Sequence, residues 1–515
     1  MLLPQKTKYL LLIIQFICCV HIAFAQDEKT VEIINSNEME FIKRDEGDLK
    51  KLTGNVILKQ ADVLMYCDSA YFNDGINTVE AFGNVKVKQG DSITLYCKHL
   101  LYNGNEKMMH ANQKVRLERG RSTLLSDNLE YDLKQKKGWY TNGGKLLNDS
   151  TLLISRIGYY FTETGDAFFK EKVKVTNPHY NLTADTFRFN SRTNTNYFLG
   201  ATNITTDSTK IYCEGGFYAL TSGESRFIKN AHIQIKSQDV NADTIDYNQK
   251  SKIGAAYGKV AFYDTVQKVK IFAHQAHFNS TTNYLKSFGN AYLQTLLDKD
   301  TLHITADTLI TFTSFKIKYD SINNNNDSSE IKTMLAYYHV QMFSKKFQAI
   351  CDSSRYSFAD SSFILYHQPI LWVDSNQLSG DTIQIFIKQN KINNLMLLQN
   401  AIIVSKIHKK LFNQVGGKTI TGYFENNELN QMIVIGNAES VYFSNDKKNA
   451  YTGVNKSTAS KMRFSFVEGK MDKIFFYEQP EAYFTPMKFY KMGSLNLKNF
   501  SWKNQARPIK NNFNH

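Results

Sequence analysis

Short runs of alternating apolar and polar residues follow one another along most of the chain. In the segment GNVKVKQGDSITLYC, Val85 and Val87 alternate with lysines, and Ile93 and Leu95 precede Cys97 in a second alternating run. A period of two places alternate side chains on one face of a β-strand. The pattern therefore predicts a chain made of strands, each with one buried face.

The alternating runs recur at intervals of about thirty residues, and a fixed period of this size indicates a repeat architecture. A Gly-Asn pair marks the repeat at Gly54, Gly83, Gly289 and Gly436, and looser versions lie between them. We count about thirteen units over residues 52–484. Each unit is predicted to hold three strand-like pieces, with a turn at Gly-Asn.

One position in every unit holds a small residue, and four of the six cysteines lie there among alanine, serine and glycine. Because glycine replaces cysteine at this position, we interpret it as selecting for size, where one wall of a sheet comes close to another backbone. The predicted small residues are Cys67, Cys97, Ser126, Ser155, Ala184, Cys213, Ala242, Ala273, Ala306, Cys351, Gly380, Gly417 and Ala459.

The face that is buried changes at the small residue. In the run ending at Cys97 the apolar set lies two and four positions before the cysteine, and Leu100 and Tyr102 lie three and five positions after it. A strand keeps both sets on one face only if a bulge or corner accommodates one extra residue. An Asp such as Asp68 often follows the small residue, and its side chain can bond nearby backbone groups at such a corner.

Stacked units of this kind predict an all-β fold, namely an elongated, open antiparallel β-jelly roll that is V-shaped and solenoid-like. Its two facing sheets would meet at a crease of small residues and enclose a long apolar trough. Each covered aliphatic side chain contributes about 1.5–3 kcal/mol, so such a core needs no cofactor. The residues predicted to line the trough are Val56, Leu58, Met65, Val85, Val87, Leu95, Val115, Leu117, Leu124, Val173, Val175, Leu182, Ile211, Ile233, Ile235, Ile271 and Ile304.

The N-terminal segment is that of an exported protein. Residues 1–25 carry Lys6 and Lys8, then an apolar run, and end in the small-residue motif AFA. This is the pattern of a secretory signal peptide, whose apolar run is too short for a confident membrane span. No later apolar run approaches the length of a membrane helix, so the exported chain is expected to be peripheral to membranes.

Breaks in the repeat divide the rest of the chain. A run of serine and asparagine interrupts the strand pattern, and beyond Met487 the repeat fades into a basic tail that is either disordered or a docking segment. The predicted segments are N-terminal repeats at 26–315, a polar loop at 316–332, further repeats at 333–486 and the basic tail at 487–515.

Charge and candidate chemistry favour a binding protein over an enzyme. The net charge of +14 is spread along the chain, which suits an anionic ligand or surface, and no nucleic-acid-binding motif is present. His274 and His277 form an isolated H-x-x-H on a predicted strand, so neither a metal site nor a cofactor is expected. Cys67 and Cys97 would form a disulfide only if their strands are adjacent; otherwise they are buried thiols.

The segments GNVKVKQGDSITLYCKHLLY and HITADTLITF resemble repeats of the lipopolysaccharide transport bridge family, also called the organic-solvent-tolerance or OstA/LptA-like family. The resemblance spans most of residues 31–315 and extends over 420–486, in a chain several times longer than the short periplasmic members. The family's Gly-Asn-Val turn and Ala-Asp-x-aliphatic-x-aromatic strand are matched by Gly83, Asn84, Val85, Ala242, Asp243, Ile245 and Tyr247.

The resemblance implies a function. Members fold as V-shaped jelly rolls, join end to end with partner jelly rolls across the periplasm, and hold the acyl chains of lipid A in the trough. By resemblance, this protein is a periplasmic lipid-binding bridge that carries lipopolysaccharide or a related envelope lipid toward the outer membrane for its assembly. Two alternatives stay open. One is a secreted β-solenoid adhesin or glycan-binding module, which needs aromatic platforms outside the trough; the other is an outer-membrane protein that crosses the lipid with its strands.

Overall fold

The computed structural model describes residues 30–44, 48–90, 93–297, 300–320, 325–388, 391–425, 428–446, 448, 450–467 and 470–513. The signal-peptide prediction for residues 1–25 lies outside them. In this part of the chain the secondary structure consists of antiparallel β-strands and three short 3₁₀ turns, and none of these turns is long and apolar enough to cross a membrane. The predicted all-β class is therefore confirmed.

The chain divides into two compact units, and unit 1 ends at Asn194. Its strands are β1 (Glu32–Asn35), β2 (Glu38–Ile42), β3 (Leu49–Gln60), β4 (Val63–Asn73), β5 (Thr78–Gln89), β6 (Ile93–Asn103), β7 (Met108–Arg119), β8 (Ser122–Asp132), β9 (Lys137–Tyr140), β10 (Gly144–Asn148), β11 (Thr151–Ser155), β12 (Ile157–Phe161), β13 (Asp166–Asn177) and β14 (Tyr180–Asn190).

Unit 2 begins at Thr195. Its strands are β15 (Thr195–Phe198), β16 (Thr202–Thr205), β17 (Thr209–Cys213), β18 (Gly215–Ala219), β19 (Glu224–Ile235), β20 (Gln238–Asn248), β21 (Ile253–Asp264), β22 (Val269–Asn279), β23 (Tyr284–Leu297), β24 (Asp300–Asp320), β25 (Asn325–Phe343), β26 (Phe347–Ser357), β27 (Ser362–Tyr366), β28 (Ile370–Val373), β29 (Asn376–Ser379), β30 (Thr382–Lys388), β31 (Lys391–His408), β32 (Leu411–Glu425), β33 (Glu428–Asn445), β34 (Tyr451–Val467), β35 (Lys470–Tyr477) and β36 (Glu481–Pro486). The 3₁₀ turns are Met487–Phe489, Asn504–Ala506 and Lys510–Phe513.

The Gly-Asn pairs are bulges inside long strands. In the pairing of β3 with β4, Thr53 faces Ser69 and Val56 faces Cys67, so two residues of β3 stand opposite one of β4. Those two are Gly54 and Asn55, with φ of +75° and +46°, and two successive left-handed residues bend a strand without reversing it. The three-piece unit was therefore wrong for β3 to β8, where each unit is a hairpin of two long strands that both cross the crease. At β9 to β12, β15 to β18 and β27 to β30 the chain forms four short strands instead.

The strand halves on the two sides of the bulges form two walls in unit 1, which we call wall A and wall B. Wall A contains β2, β9, β12 and residues 49–53, 69–73, 78–82, 99–103, 108–112, 128–132, 166–170 and 186–190. Wall B contains β1, β10, β11 and residues 56–60, 63–67, 85–89, 93–97, 115–119, 122–126, 173–177 and 180–184.

The inner faces of the two walls supply the core. Leu52 and Leu100 of wall A and Leu58 of wall B are each at most 1% exposed, which alternation along both halves of a strand requires. Unit 2 has the same construction, and its apolar cluster includes Leu293 and Val434 from strands far apart in sequence. The predicted β-jelly roll is thus confirmed as a two-walled, creased arrangement inside each unit.

One segment of unit 2 differs from expectation. Residues 316–320 and 325–332, predicted as a polar loop, continue β24 and β25 in register, and Asp320 pairs with Asn325. Apolar and polar residues do alternate in SFKIKYD, so the strand continues outward before the chain reverses. The serine and asparagine content hid this alternation.

The C-terminal segment, residues 487–513, docks on the strands of unit 2. Leu497 is buried among Val404, Val441 and Phe443, on the strand face that points away from the core. The same segment is held by hydrogen bonds, such as that from the Leu497 backbone N–H to Gln414 Oε1 at 2.9 Å. Of the two states left open for the basic tail, the structure has the docked one.

Candidate functional site

The residues predicted to line a trough lie on one wall. All twelve in unit 1, from Val56 to Leu182, belong to wall B. Fifteen of the whole set of seventeen are buried, while Ile211 and Ile235 are half-buried. The sequence pattern therefore found one lining of the space between the walls and left the other out.

Wall A supplies the second lining, and it is more aromatic than wall B. Some of its inward residues, such as Leu100 and Tyr102, follow the small residue by three and five positions, so the signal that marked the phase change also marked these side chains. The buried inner residues of wall A are Leu52, Ala70, Phe72, Val79, Ala81, Leu100, Tyr102, Met109, Ala111, Leu129, Tyr131, Tyr140, Tyr160, Ala167, Phe169 and Phe187.

The small residues occupy the crease as expected from their size. Cys97 pairs with Val85, the residue that follows the Gly83-Asn84 bulge. The predicted crease residues Cys67, Cys97, Ala184, Cys213, Ala242, Ala273, Ala306 and Cys351 are all buried.

Hydrogen bonds from Asn84 fix the bulge of β5. Its backbone N–H and its Nδ2 both donate to Asp68 Oδ2 at 3.0 Å. A Cβ at Gly83 would lie 2.2 Å from that same oxygen, which explains why glycine stands there. Asp68 of β4 thus stabilises the bend by accepting hydrogen bonds from the bulge of the neighbouring strand β5.

The four cysteines of the crease are free thiols. Burial raises the pKa of Cys67 and of Cys97 to about 12, and that of Cys213 to about 11. The strands that carry Cys67 and Cys97 are separated by β5, so the adjacency on which a disulfide depended is not met. Thiols held protonated in this way are poor nucleophiles and poor metal ligands.

Side chains fill the space between the walls in unit 1. Leu117 and Leu124 of wall B and Tyr160 and Phe169 of wall A line a cavity of about 10 Å³. A void of that size holds about one water molecule, and no hydrocarbon chain fits in it. At this point of unit 1 the expected trough is filled by side chains, and an acyl chain can enter here only if the walls separate.

Tyr140 fills the crease where strands β9 to β12 are short. Its hydroxyl bonds Ser155 Oγ at 2.7 Å, and both residues are buried. Cβ atoms added to Gly144 and Gly158 would each lie 2.4 Å from the tyrosine ring. The two glycines thus make room for an aromatic plug that the sequence pattern did not reveal.

Hydrogen bonds join the tips of the two walls, at the edge opposite the crease. Tyr102 OH of wall A donates to Gln60 Oε1 of wall B, and Gln60 Nε2 donates to Gly104 O at 3.0 Å. Tyr131 OH donates to Gln89 Oε1 at 3.5 Å. We call each such cross-wall bond a latch.

A third latch differs in charge. Arg119 Nη1 of wall B donates to Tyr160 OH of wall A at 3.3 Å. Arg119 is half-buried and lines the cavity of about 10 Å³. In the part of the chain that the structure describes, no carboxylate forms an ion pair with it.

Outside the trough, wall A of unit 1 carries an aromatic row. Trp139 pairs with Tyr159, which pairs with Phe168, and all three are half-buried. Lys137 Nζ lies 5.1 Å from the ring centroid of Trp139 and 5.2 Å from that of Tyr159. The ammonium group of Lys137 thus lies against two rings of this row.

Neither histidine of the H-x-x-H sequence enters a metal-type cluster. His277 packs edge-on against Phe288 with ring centroids 5.2 Å apart. Among the described residues no group of three or more His, Cys, Asp or Glu side chains is placed to hold a metal ion.

The outermost strands leave apolar side chains uncovered. At the N-terminal edge of unit 1, Met39 and Phe41 of β2 are 43% and 68% exposed, and at the other end of the chain Phe484 of β36 is 58% exposed. Strands at such edges also carry unpaired backbone groups, which can pair with a strand of another protein.

Comparison with known proteins supports the resemblance of the repeats. Residues 28–185 match the sequence model of the family described as OstA-like protein. Among solved structures, the chain is similar to LptH, the LptA homologous periplasmic component of the conserved lipopolysaccharide transport device from Pseudomonas aeruginosa, at 16% identity over 23% of this chain and 74% of that chain. The TM-score of 0.18 does not establish a shared overall fold. No curated protein matches the chain.

Proposed function

Because residues 28–185 are OstA-like, we propose that the protein is a lipid-binding bridge of the cell envelope that holds the acyl chains of lipopolysaccharide between walls A and B. The observation that carries the proposal is the pair of facing inner walls, which are lined by apolar side chains and are joined at the crease and at the latches. We propose the periplasm as its location and outer-membrane assembly as the process it serves.

Apolar walls suit a cargo that has to move. Each methylene group removed from water contributes about 0.8 kcal/mol, so a lipid with several acyl chains needs a covered apolar path across water. Apolar contact has little directional preference, which lets an acyl chain slide from one thirty-residue repeat to the next. Because side chains fill the space around the cavity of about 10 Å³, entry of lipid there requires the walls to separate.

The exposed strand edges are the proposed docking surfaces for other jelly-roll transport proteins. Met39 and Phe41 at one edge and Phe484 at the other would be covered by an added strand, which also pairs the open backbone groups. The chain would act as a carrier and not as an enzyme, in keeping with the OstA-like match of residues 28–185.

Photocrosslinking tests the proposal directly. A photoreactive residue is placed at Leu95, Leu182 or Ile304, which are buried inner positions, in the full-length protein. We expect irradiation in the presence of lipopolysaccharide to give adducts from these inner sites. Matched outer sites at Lys86 and Lys174 are expected to give none, because their side chains point away from the space between the walls.

Adducts from Lys86 or Lys174 alone would contradict the proposal and favour the alternative of a surface binding module. Equal labelling from inner and outer sites would indicate nonspecific association with lipid aggregates, and would contradict it as well. Circular dichroism of each variant checks that the photoreactive residue has left the β-structure intact.

A further inference from the structure

The three latches form a periodic series. Their wall B members are Gln60, Gln89 and Arg119, and their wall A members are Tyr102, Tyr131 and Tyr160. Successive members are 29 or 30 residues apart, which is one repeat. The same position of the repeat therefore joins the tips of the two walls each time. Tyrosine is constant in the series, while its partner changes from a neutral amide to a cation.

The cation is poorly matched to its partner. A guanidinium group presents five N–H donors, and Arg119 has a single phenol oxygen at 3.3 Å as its partner among the described residues. Nearby Arg116, on the same strand, has its charge balanced by Glu118 at 3.3 Å. Glutamine at the two preceding latches shows that the closure itself does not require a charge.

We propose that Arg119 is the head-group site of the trough, where the phosphate of an anionic amphiphile replaces Tyr160 and opens the latch. A phosphate offers two oxygens to a guanidinium and forms charge-assisted bonds that a phenol cannot match. The cavity of about 10 Å³ beneath Arg119 is where the attached hydrocarbon chain first enters between the walls. This inference rests on the proposed function, because it assigns the entry point of that same trough.

Two amphiphiles that share the same dodecyl chain but differ in head-group charge separate the contribution of the charge from that of the hydrocarbon. Radiolabelled dodecyl phosphate and dodecyl maltoside are each dialysed against the full-length protein below their critical micelle concentrations. We expect the native protein to prefer the phosphate by about tenfold, the effect of one bond to a charged group. In Arg119→Gln the preference is lost, while the affinity for dodecyl maltoside is unchanged.

The chain provides its own controls. Arg119→Gln recreates the Gln–Tyr latch of the two preceding units, so the wall tips stay joined and loss of folding is not expected. Arg116→Gln removes an equal charge from the outer face of the same strand and should keep the preference. Tyr160→Phe frees Arg119 and should raise the affinity for both amphiphiles.

Each result decides between distinct possibilities. Equal loss of preference in Arg116→Gln and Arg119→Gln would assign the effect to overall charge and overturn the head-group site. Displacement of dodecyl phosphate by inorganic phosphate at equal concentration would overturn an amphiphile site and indicate a site for free phosphate. If the native protein binds neither amphiphile, the proposed function fails together with the inference, whereas binding without preference overturns the inference alone.

Discussion

At the scale of single residues, the crease depends on backbone conformations that few side chains tolerate. Gly83 has φ of +96° in the bulge whose Asn84 donates to Asp68, and in the preceding bulge Gly54 and Asn55 both have positive φ. Asparagine tolerates the left-handed region better than most residues, and glycine has no Cβ to clash there. The Gly-Asn pair is therefore a consequence of the bend and not of a chain reversal.

Gly83→Ala should destabilise the crease locally by about 2–3 kcal/mol, because it adds left-handed strain and displaces Asp68 from its hydrogen bonds. Gly90→Ala is the matched control: its φ of +56° is also left-handed, but a Cβ there meets nothing within 4 Å. It should cost about 1 kcal/mol. Hydrogen exchange of the peptide spanning β5 and β6 measures both, and equal protection in the two variants would contradict the role of Asp68.

Residue types showed the position of the crease but not its geometry. The small-residue ladder could be predicted from the sequence because size is a property of the side chain alone, as the series from Cys67 to Ala306 shows. Tyr140 could not be predicted, because the space for its ring comes from Gly144 and Gly158 on neighbouring strands. Contacts of that kind depend on strand register, which one sequence does not supply.

At the scale of elements, the long strand is the unit of construction. Periodicity was interrupted at each bulge, so one strand such as Thr78–Gln89 looked like two shorter pieces. The same interruption explains why every predicted lining residue of unit 1 lies on wall B: the inner phase of wall A is shifted by one position. Alternation alone would assign the apolar residues before and after a bulge to opposite faces of the strand, because their spacing differs by one residue.

The C-terminal segment is an element whose docking the sequence left open. Three glutamines of the strand face beneath it bond the segment, and two of them, Gln377 and Gln414, bond its backbone. Gln377 Nε2 donates to Ser501 O at 2.7 Å and Gln377 Oε1 accepts from the Lys503 N–H at 2.8 Å. Aromatic contacts of Phe412 with Trp502 complete the attachment.

Leu497→Ala should loosen the C-terminal segment, since truncation of a buried leucine costs about 2–5 kcal/mol. Met492→Ala, in the same segment but 62% exposed, should change stability by less than about 0.5 kcal/mol. Limited proteolysis followed by mass spectrometry is expected to cut the segment faster in Leu497→Ala and at the native rate in Met492→Ala. Unchanged cutting in both variants would show that the hydrogen bonds alone hold the segment.

At the scale of the whole molecule, the sequence showed the repeat architecture but not how the two walls meet. The repeat, its period and the OstA-like motifs could be found in the sequence, because each recurs many times and errors in single units cancel. The closed state of the walls could not, since latches join residues 41 or 42 positions apart through side chains such as Tyr102 and Arg119. The period of the repeat shows which positions are equivalent, but it does not show which position of one repeat bonds to which position of the next.

Ala306→Trp should reduce the amount of acyl amphiphile bound per molecule, while Ala306→Cys should leave it unchanged. Ala306 is buried and pairs with Ala291, so an indole side chain fills the crease, whereas cysteine already occupies the equivalent position in other units. Binding at saturation measures the stoichiometry, and circular dichroism checks the fold of each variant. Equal stoichiometry in the two variants would show that cargo does not pass the crease of unit 2.

Because each latch joins two consecutive hairpins, the latches also limit how short an excised fragment can be and still close. Gln60 belongs to the first hairpin of the series and Tyr102 to the next one. A single thirty-residue hairpin therefore contains latch residues whose hydrogen-bond partners lie on other hairpins. The smallest excised piece able to shut over a guest would have to contain two consecutive hairpins. Shorter peptides should therefore expose their hydrophobic faces and aggregate.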